Sequence, residues 1–175
     1  MVLLAFQIGT PGQTKPQTAF SLSPIRIAQL KGVTWLYTES DTTIDDMPGI
    51  VAPAFDSIRN SLAEKGDVPA GGPVIEFEST VMDPAKTFKL RVGYPVADGF
   101  KPIGGFQVGK LDSLKCATAI YMGPSRQLPA AYARLFAQIE GQGLTPSGLR
   151  RERYLYFEDR ASPNDIILIE IALKD

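Results

Sequence analysis

The sequence contains no histidine and one cysteine, Cys116. Without histidine there is no Ser-His or Cys-His nucleophile pair and no histidine-bearing zinc or iron site. A single cysteine excludes an internal disulfide and a cysteine-pair zinc site. No metal or cofactor is expected, and the cysteine usage fits a reducing compartment. Long apolar runs are missing too: nothing approaches the roughly 18 residues of a membrane span, and the opening "MVLLAF" is too short for a signal-peptide core and has no basic flank. These features read as a soluble cytoplasmic protein with no membrane partner. Neither sign of charge is in excess, with 18 Lys and Arg against 19 Asp and Glu. No basic stripe with interleaved aromatics appears, so direct nucleic-acid binding is not expected.

What is present is a chain of 175 residues, 44% apolar and 21% charged, compatible with one domain or with two small halves sharing a core. One local motif misleads. "GGFQVGKL" has the glycine and lysine spacing of a phosphate-binding loop from Gly104 to Lys110, but Leu111 stands where the metal-binding hydroxyl belongs. The strand pattern "KCATAIYM" follows soon after, where a helix is required, so a Gly-rich linker is the better reading.

The chain resembles itself. "AFDSIRNSLAEKGDVPAG" from Ala54 aligns with "AYARLFAQIEGQGLTPSG" from Ala131, 77 positions later, matching Phe55 with Tyr132, Ile58 with Leu135, Leu62 with Ile139 and Gly66 with Gly143. Apolar residues at Val51, Phe55, Ile58 and Leu62, and at Leu128, Tyr132, Leu135 and Ile139, have the spacing of a helix with one buried stripe. Gly66 and Gly143, with Pro69 and Pro146 beyond them, are stop signals.

Strand patterns flank both helices: "GVTWLYT" and "KCATAIYM" before them, and "PVIEFESTV" with "TFKLRVGYPV", then "RERYLYFE" with "IILIEIAL", after them. Pro84 and Pro163 repeat in the final turns. The expected fold is α+β, with duplicated β-α-β-β units in one curved, barrel-like antiparallel sheet of pseudo-two-fold symmetry. The expected organisation is a leader 1–24, read as a disordered tail, and one domain 25–175 made of repeats 25–96 and 106–173 joined by a linker 97–105. The first copy has a longer strand-to-helix connection carrying Glu39, Asp41, Asp45 and Asp46. This reads as a solvated loop, or else as a cation-attracting rim.

The candidate site starts from Glu170, a carboxylate inside the aliphatic run Ile166–Leu173. A charge in such surroundings is costly unless paired. Strand alternation matches Glu170 with Arg91 and projects it from the face without helices, beside Ile166, Leu168 and Ala172. A ligand or another part of the protein should cover it. Tyr154, Tyr156, Tyr37, Trp35 and Tyr121 are candidate aromatic walls, and rings with one carboxylate suit a flat lipophilic cation. The alternative for Glu170 is a salt bridge or solvent, and for the aromatics ordinary core packing.

The stretches "LKCATAIYMGPSRQLPAAYARLFAQIEGQGLTPSG", "RERYL" and "IEIAL" resemble the bacterial effector-binding, or GyrI-like, domain. Gly123, Pro124, Ala131, Tyr132, Tyr154 and Glu170 stand where that family's pattern puts them. The resemblance implies a ligand cleft between two pseudo-symmetric halves, a strand glutamate (Glu170) at its base with Tyr154 beside it, and hydrophobic, often cationic ligands. The first 24 residues are too few for the helix-turn-helix domain of family regulators, so a stand-alone member is expected, with "MVLLAFQI" adding an edge strand or docking on a partner. Two further activities follow from the resemblance. One is hydrolysis of cyclopropane-containing alkylating natural products, with Glu170 as the catalytic group, and the other is inhibition of a protein partner such as a topoisomerase. The physiological ligand and the oligomeric state stay open.

Overall fold

A computed structural model of the chain describes residues 20–78, 86–158 and 160–174. In chain order these form β1 (Ser21–Leu22), β2 (Arg26–Leu30), β3 (Val33–Thr42), α1 (Met47–Glu64), β4 (Val74–Glu78), β5 (Phe88–Pro95), β6 (Gln107–Leu111), β7 (Leu114–Met122), a 3-10 turn (Ser125–Gln127), α2 (Leu128–Gly141), β8 (Pro146–Tyr156) and β9 (Ile166–Leu173). The fold is α+β. Most of the expected leader, Pro84 and the end of the "PVIEFESTV" strand fall outside the described residues.

Both helices form where the apolar spacing places them, and both end alike. Gly66 and Gly143 adopt φ of 74° and 70°, a conformation that costs glycine little. Around them the amides of Gly66 and Asp67 return to the carbonyls of Ala63 and Leu62, and those of Gly143 and Leu144 to Glu140 and Ile139. These paired bonds satisfy carbonyls the helix would otherwise leave open.

Among the described residues all strand pairings are antiparallel, in one nine-stranded sheet ordered β1-β7-β9-β8-β4-β5-β3-β6, with β2 also on β7. Outward from the central β4·β8 pair, the order is β5-β3-β6 on one flank and β9-β7-β2 on the other. The outermost strand of each flank comes from the other part of the chain. β6 and β7 lie far apart in this order, yet only Asp112 and Ser113 join them. The sheet must therefore curl until its flanks approach, giving a half-barrel. The curl brings the carbonyl of Asp112 to Nη1 of Arg151 on β8, at 2.9 Å.

Strand alternation sorts the side chains. One face carries Leu36, Ile75, Phe77, Leu90, Val92 and Ile169, packed against Phe55, Ile58 and Leu62 of α1 and Leu135 and Ile139 of α2. The opposite face carries Trp35, Val74 and Leu111 as a second cluster, together with a row of charges.

Three expectations are corrected. β2 and β6 add a short strand to each part, so "GGFQVGKL" is a turn at Gly104–Gly105 followed by strand, not a linker throughout. Glu39 and Asp41 belong to β3, which runs to Thr42, so the acidic connection is shorter than expected. Glu39 is held by Lys89 at 2.6 Å and Arg91 at 2.7 Å, which removes it from any cation-attracting rim.

Candidate functional site

Where the helix-bearing face of β8 passes beneath the first turns of α1 and α2, a cavity of about 270 Å³ opens between the helices. Its walls are mainly apolar: Ile44, Met47 and Val51 on the α1 side, Leu128 and Pro129 on the α2 side, and Phe55 and Phe77 below. Asp45, Arg126 and Arg160 bring charge to it, and all three are exposed.

At its floor is Glu152. Alternation along β8 puts Arg150, Glu152 and Tyr154 on the helix face, and Glu152 lies between its cross-strand partners Ile75 and Ile169, both fully buried. The carboxylate accepts hydrogen bonds from two tyrosines: Tyr132 Oη of α2 donates to Oε1 at 2.8 Å, and Tyr154 Oη donates to Oε2 at 3.0 Å. Burial pushes the Glu152 carboxyl above the usual carboxylate range, opposed by the two hydroxyls and by the charge of Arg150. The same burial, with Glu152 alongside, holds Tyr132 and Tyr154 well above the usual phenol value, so both remain neutral donors. Edge-on contacts from Phe55 at 5.6 Å and Phe157 at 5.5 Å fix the Tyr154 ring.

Of the residues expected from sequence, Tyr154 lines this cavity and the others do not. Glu170 projects from the helix-free face, fully buried, with Oε1 accepting from Arg153 Nε at 2.5 Å. It stands at the end of a cross-strand row of alternating charge. Glu39 meets Arg91, Arg91 meets Glu76 at 3.0 Å, Glu76 meets Arg151 at 2.6 Å, and Arg151 is register partner to Glu170. Glu170 and Tyr154 therefore lie on opposite faces of the sheet and cannot share a site, which corrects the expected pairing. Trp35 and Tyr37 stack at 4.7 Å on the helix-free face. Tyr121 is buried under Phe20, its hydroxyl donating to the Pro124 carbonyl at 2.5 Å. Tyr156 does not share the face of Tyr154: a register shift separates them, and Tyr156 is exposed, donating to Glu158 at 2.6 Å.

Sequence reasoning missed Glu152 and Tyr132 as site residues. Two signals point to Glu152. It lies two positions before Tyr154 in "RERYLYFE", hence on the same strand face. It also lies 77 positions after Ile75, so the shift that aligns the helices sets a carboxylate where the first part of the chain has a core isoleucine.

The family model for the GyrI-like small molecule binding domain matches residues 23–174. No curated protein sequence matches the chain. The fold is similar to that of the EcmrR C-terminal domain, with a TM-score of 0.66 and 14% identity over 86% of this chain and 96% of that one. It is also similar to SAV2435 bound to tetraphenylphosphonium, with a TM-score of 0.61 and 13% identity over 86% of this chain and 93% of that one. A hydrolase encoded by lin2189 from Listeria innocua matches with a TM-score of 0.60 and 10% identity over 86% of this chain and 91% of that one. At such identities the likeness is one of fold.

Proposed function

The chain belongs to the GyrI-like small-molecule-binding family, and from that premise we propose that it takes up small lipophilic molecules, cationic or aromatic, between α1 and α2, with Glu152 as the countercharge. The role is sensing or sequestration in the cytoplasm. Among the described residues no helix is long and apolar enough to cross a membrane. The observation that carries the reading is the position of Glu152: a carboxylate only 2% exposed, at the floor of an apolar cavity. Its desolvation was incurred when the chain folded, and Tyr132 and Tyr154 already fix its orientation. A cation arriving at ~4 Å, at an effective dielectric of ~20, gains roughly 4 kcal/mol of Coulomb energy before its own desolvation. Phe55, Phe77 and Tyr154 supply apolar area and ring faces. SAV2435, with a similar fold, is a protein bound to a lipophilic cation.

Calorimetric titration with tetraphenylphosphonium tests the reading. The wild type should saturate. Glu152→Gln should bind at least about tenfold more weakly, a loss of ~1.4 kcal/mol, while unfolding at the same or a higher temperature. Undiminished affinity in Glu152→Gln removes the carboxylate from the mechanism.

A second reading is hydrolysis of cyclopropane-containing alkylating natural products, favoured by the raised proton affinity of Glu152 beside two phenols. That is the arrangement of a general base poised to activate water. Catalytic ring opening that stops in Glu152→Gln, with ligand binding retained, would establish it; the absence of turnover leaves the binding protein.

A further inference from the structure

Behind the floor of the cavity lies a second buried charge. Arg150 is 2% exposed, and its guanidinium carbon sits 4.8 Å from the ring centre of Phe136, 5.3 Å from that of Tyr132 and 5.8 Å from that of Phe77. Tyr132 and Phe77 also line the cavity, whereas Arg150 and Phe136 are not among its lining residues. The two rings thus stand between a resident cation and the space a ligand would fill. Tyr132 is shared: its ring carries Arg150, and its hydroxyl donates to Glu152 at 2.8 Å. Arg150 and Glu152 are next neighbours on the same face of β8, opposite Phe77 and Ile75.

We propose that Arg150 is a positioning residue that sets the charge of Glu152 from behind the aromatic floor, acting through space and through Tyr132. It thereby governs the pH range over which the cavity takes up cations. The proposal rests on the binding reading above and deepens it. A guanidinium stays charged at any pH the protein survives, whereas a carboxylate does not. The groups facing Glu152 are Tyr132 from α2 and Arg150 and Tyr154 from β8, with Tyr121 of β7 and the buried Asp165 beyond them and Asp45, Arg126 and Arg160 at the cavity. The neighbours on β4 and β9 are isoleucines. The tyrosines are neutral, and the exposed charges are screened by water and salt. After the hydrogen bonds from the two tyrosine hydroxyls, Arg150 is the charge that opposes the desolvation of Glu152. Its position beyond the rings lets it do so without closing the cavity.

A cation bound in the cavity also feels Arg150, as a repulsion. Removing Arg150 therefore has opposite consequences at the two ends of the pH scale, a signature that simple structural damage lacks. The experiment follows the carboxyl carbon resonance of Glu152, assigned by its loss in Glu152→Gln, from about pH 5 to about pH 9. It compares the wild type, Arg150→Met and Phe136→Leu, with tetraphenylphosphonium affinity measured in parallel. In Arg150→Met the Glu152 midpoint should move to higher pH. Affinity should fall severalfold on the acid side, where the ionised fraction is lost first, and should equal or exceed the wild type on the alkaline side. Phe136→Leu, which loosens the cage away from the cavity, should move the midpoint the same way by less. An unmoved midpoint in folded Arg150→Met, or an affinity loss uniform across pH, overturns the proposal. Should Arg150→Met fail to fold, an unmoved midpoint in Phe136→Leu does so. If no variant and not the wild type binds the probe, the binding reading fails, and the resonance titration still judges Arg150.

Discussion

Glu152 and Glu170 are both buried carboxylates, and the groups that hold them separate their roles. Two neutral hydroxyls orient Glu152 toward a cavity. Glu170 is held by a guanidinium, and its Oε2 has no hydrogen-bond partner among the described residues. Burial raises the proton affinity of both, with Arg153 opposing at Glu170. A carboxyl whose folded pKa lies above its unfolded value lets the folded state bind more protons between the two values, so stability falls as pH rises through that window. Glu152→Gln should abolish this contribution: its unfolding free energy should vary less with pH above about 4.5, and should match or exceed the wild type near neutrality, as read from urea denaturation at several pH values. Arg153→Ala should act in the opposite sense, leaving Glu170 buried without its cation. We expect a loss of roughly 2–4 kcal/mol near pH 8, at or below the range for a broken buried pair because Arg153 is 22% exposed, with partial recovery on acidification as Glu170 protonates. Tetraphenylphosphonium affinity should be unchanged, since Arg153 lies on the other face of the sheet. A marked loss of affinity in Arg153→Ala would place the ligand on the wrong side in our reading.

At the scale of elements, the sheet depends on a few close approaches. Gly93 of β5 faces Tyr37 of β3, and a Cβ there would lie 2.2 Å from the Leu36 carbonyl oxygen and 2.7 Å from the Tyr37 Cβ. Both obstacles are on the neighbouring strand and cannot rotate away, so Gly93→Ala should cost about 3 kcal/mol or prevent folding. Gly49 in the first turn of α1 has nothing within 4 Å of such a Cβ, so Gly49→Ala should stabilise by about 0.5–1 kcal/mol. Thermal unfolding of both variants checks the contrast, and equal effects would refute the register given for β3 and β5. The same local rules explain how much could be read beforehand. α1, α2 and their glycine ends are coded by residues within a few turns of one another, so spacing sufficed. β2 and β6 have five residues each, largely exposed or half-buried, and gain their strand character by pairing with a strand distant in sequence. No local pattern carries that information. Tyr154 was legible, but the register shift after it sends Tyr156 to solvent and ends the alternation that seemed to join them. The face assigned to Glu170 was correct, whereas its cover comes from Arg153 and the curl of the sheet, which is a property of the whole topology.

For the molecule as a whole, the cavity exists only because two distant stretches of chain meet. The α1 side is contributed by residues 44–55, and the α2 side and much of the floor by residues 125–160. A ligand held there contacts both helices at their first turns, so binding should tighten the association between them rather than one alone. Since a ligand that binds only the folded chain stabilises it by about 2.7 kcal/mol at a hundredfold excess over Kd, and each kcal/mol moves Tm by roughly 2–4 °C in a chain of this length, saturating tetraphenylphosphonium should raise Tm by about 5–10 °C. Amide hydrogen exchange should slow together in Met47–Phe55 and Leu128–Tyr132, the segments that form the opposed walls. Glu152→Gln, binding at least about tenfold more weakly, should show at most about half the Tm shift at the same probe concentration, with correspondingly weaker protection. Protection confined to one helix would mean that the probe sits on a surface of that helix. Protection concentrated instead in β3 and β9 would return the site to the helix-free face, where Glu170, Trp35 and Tyr37 lie.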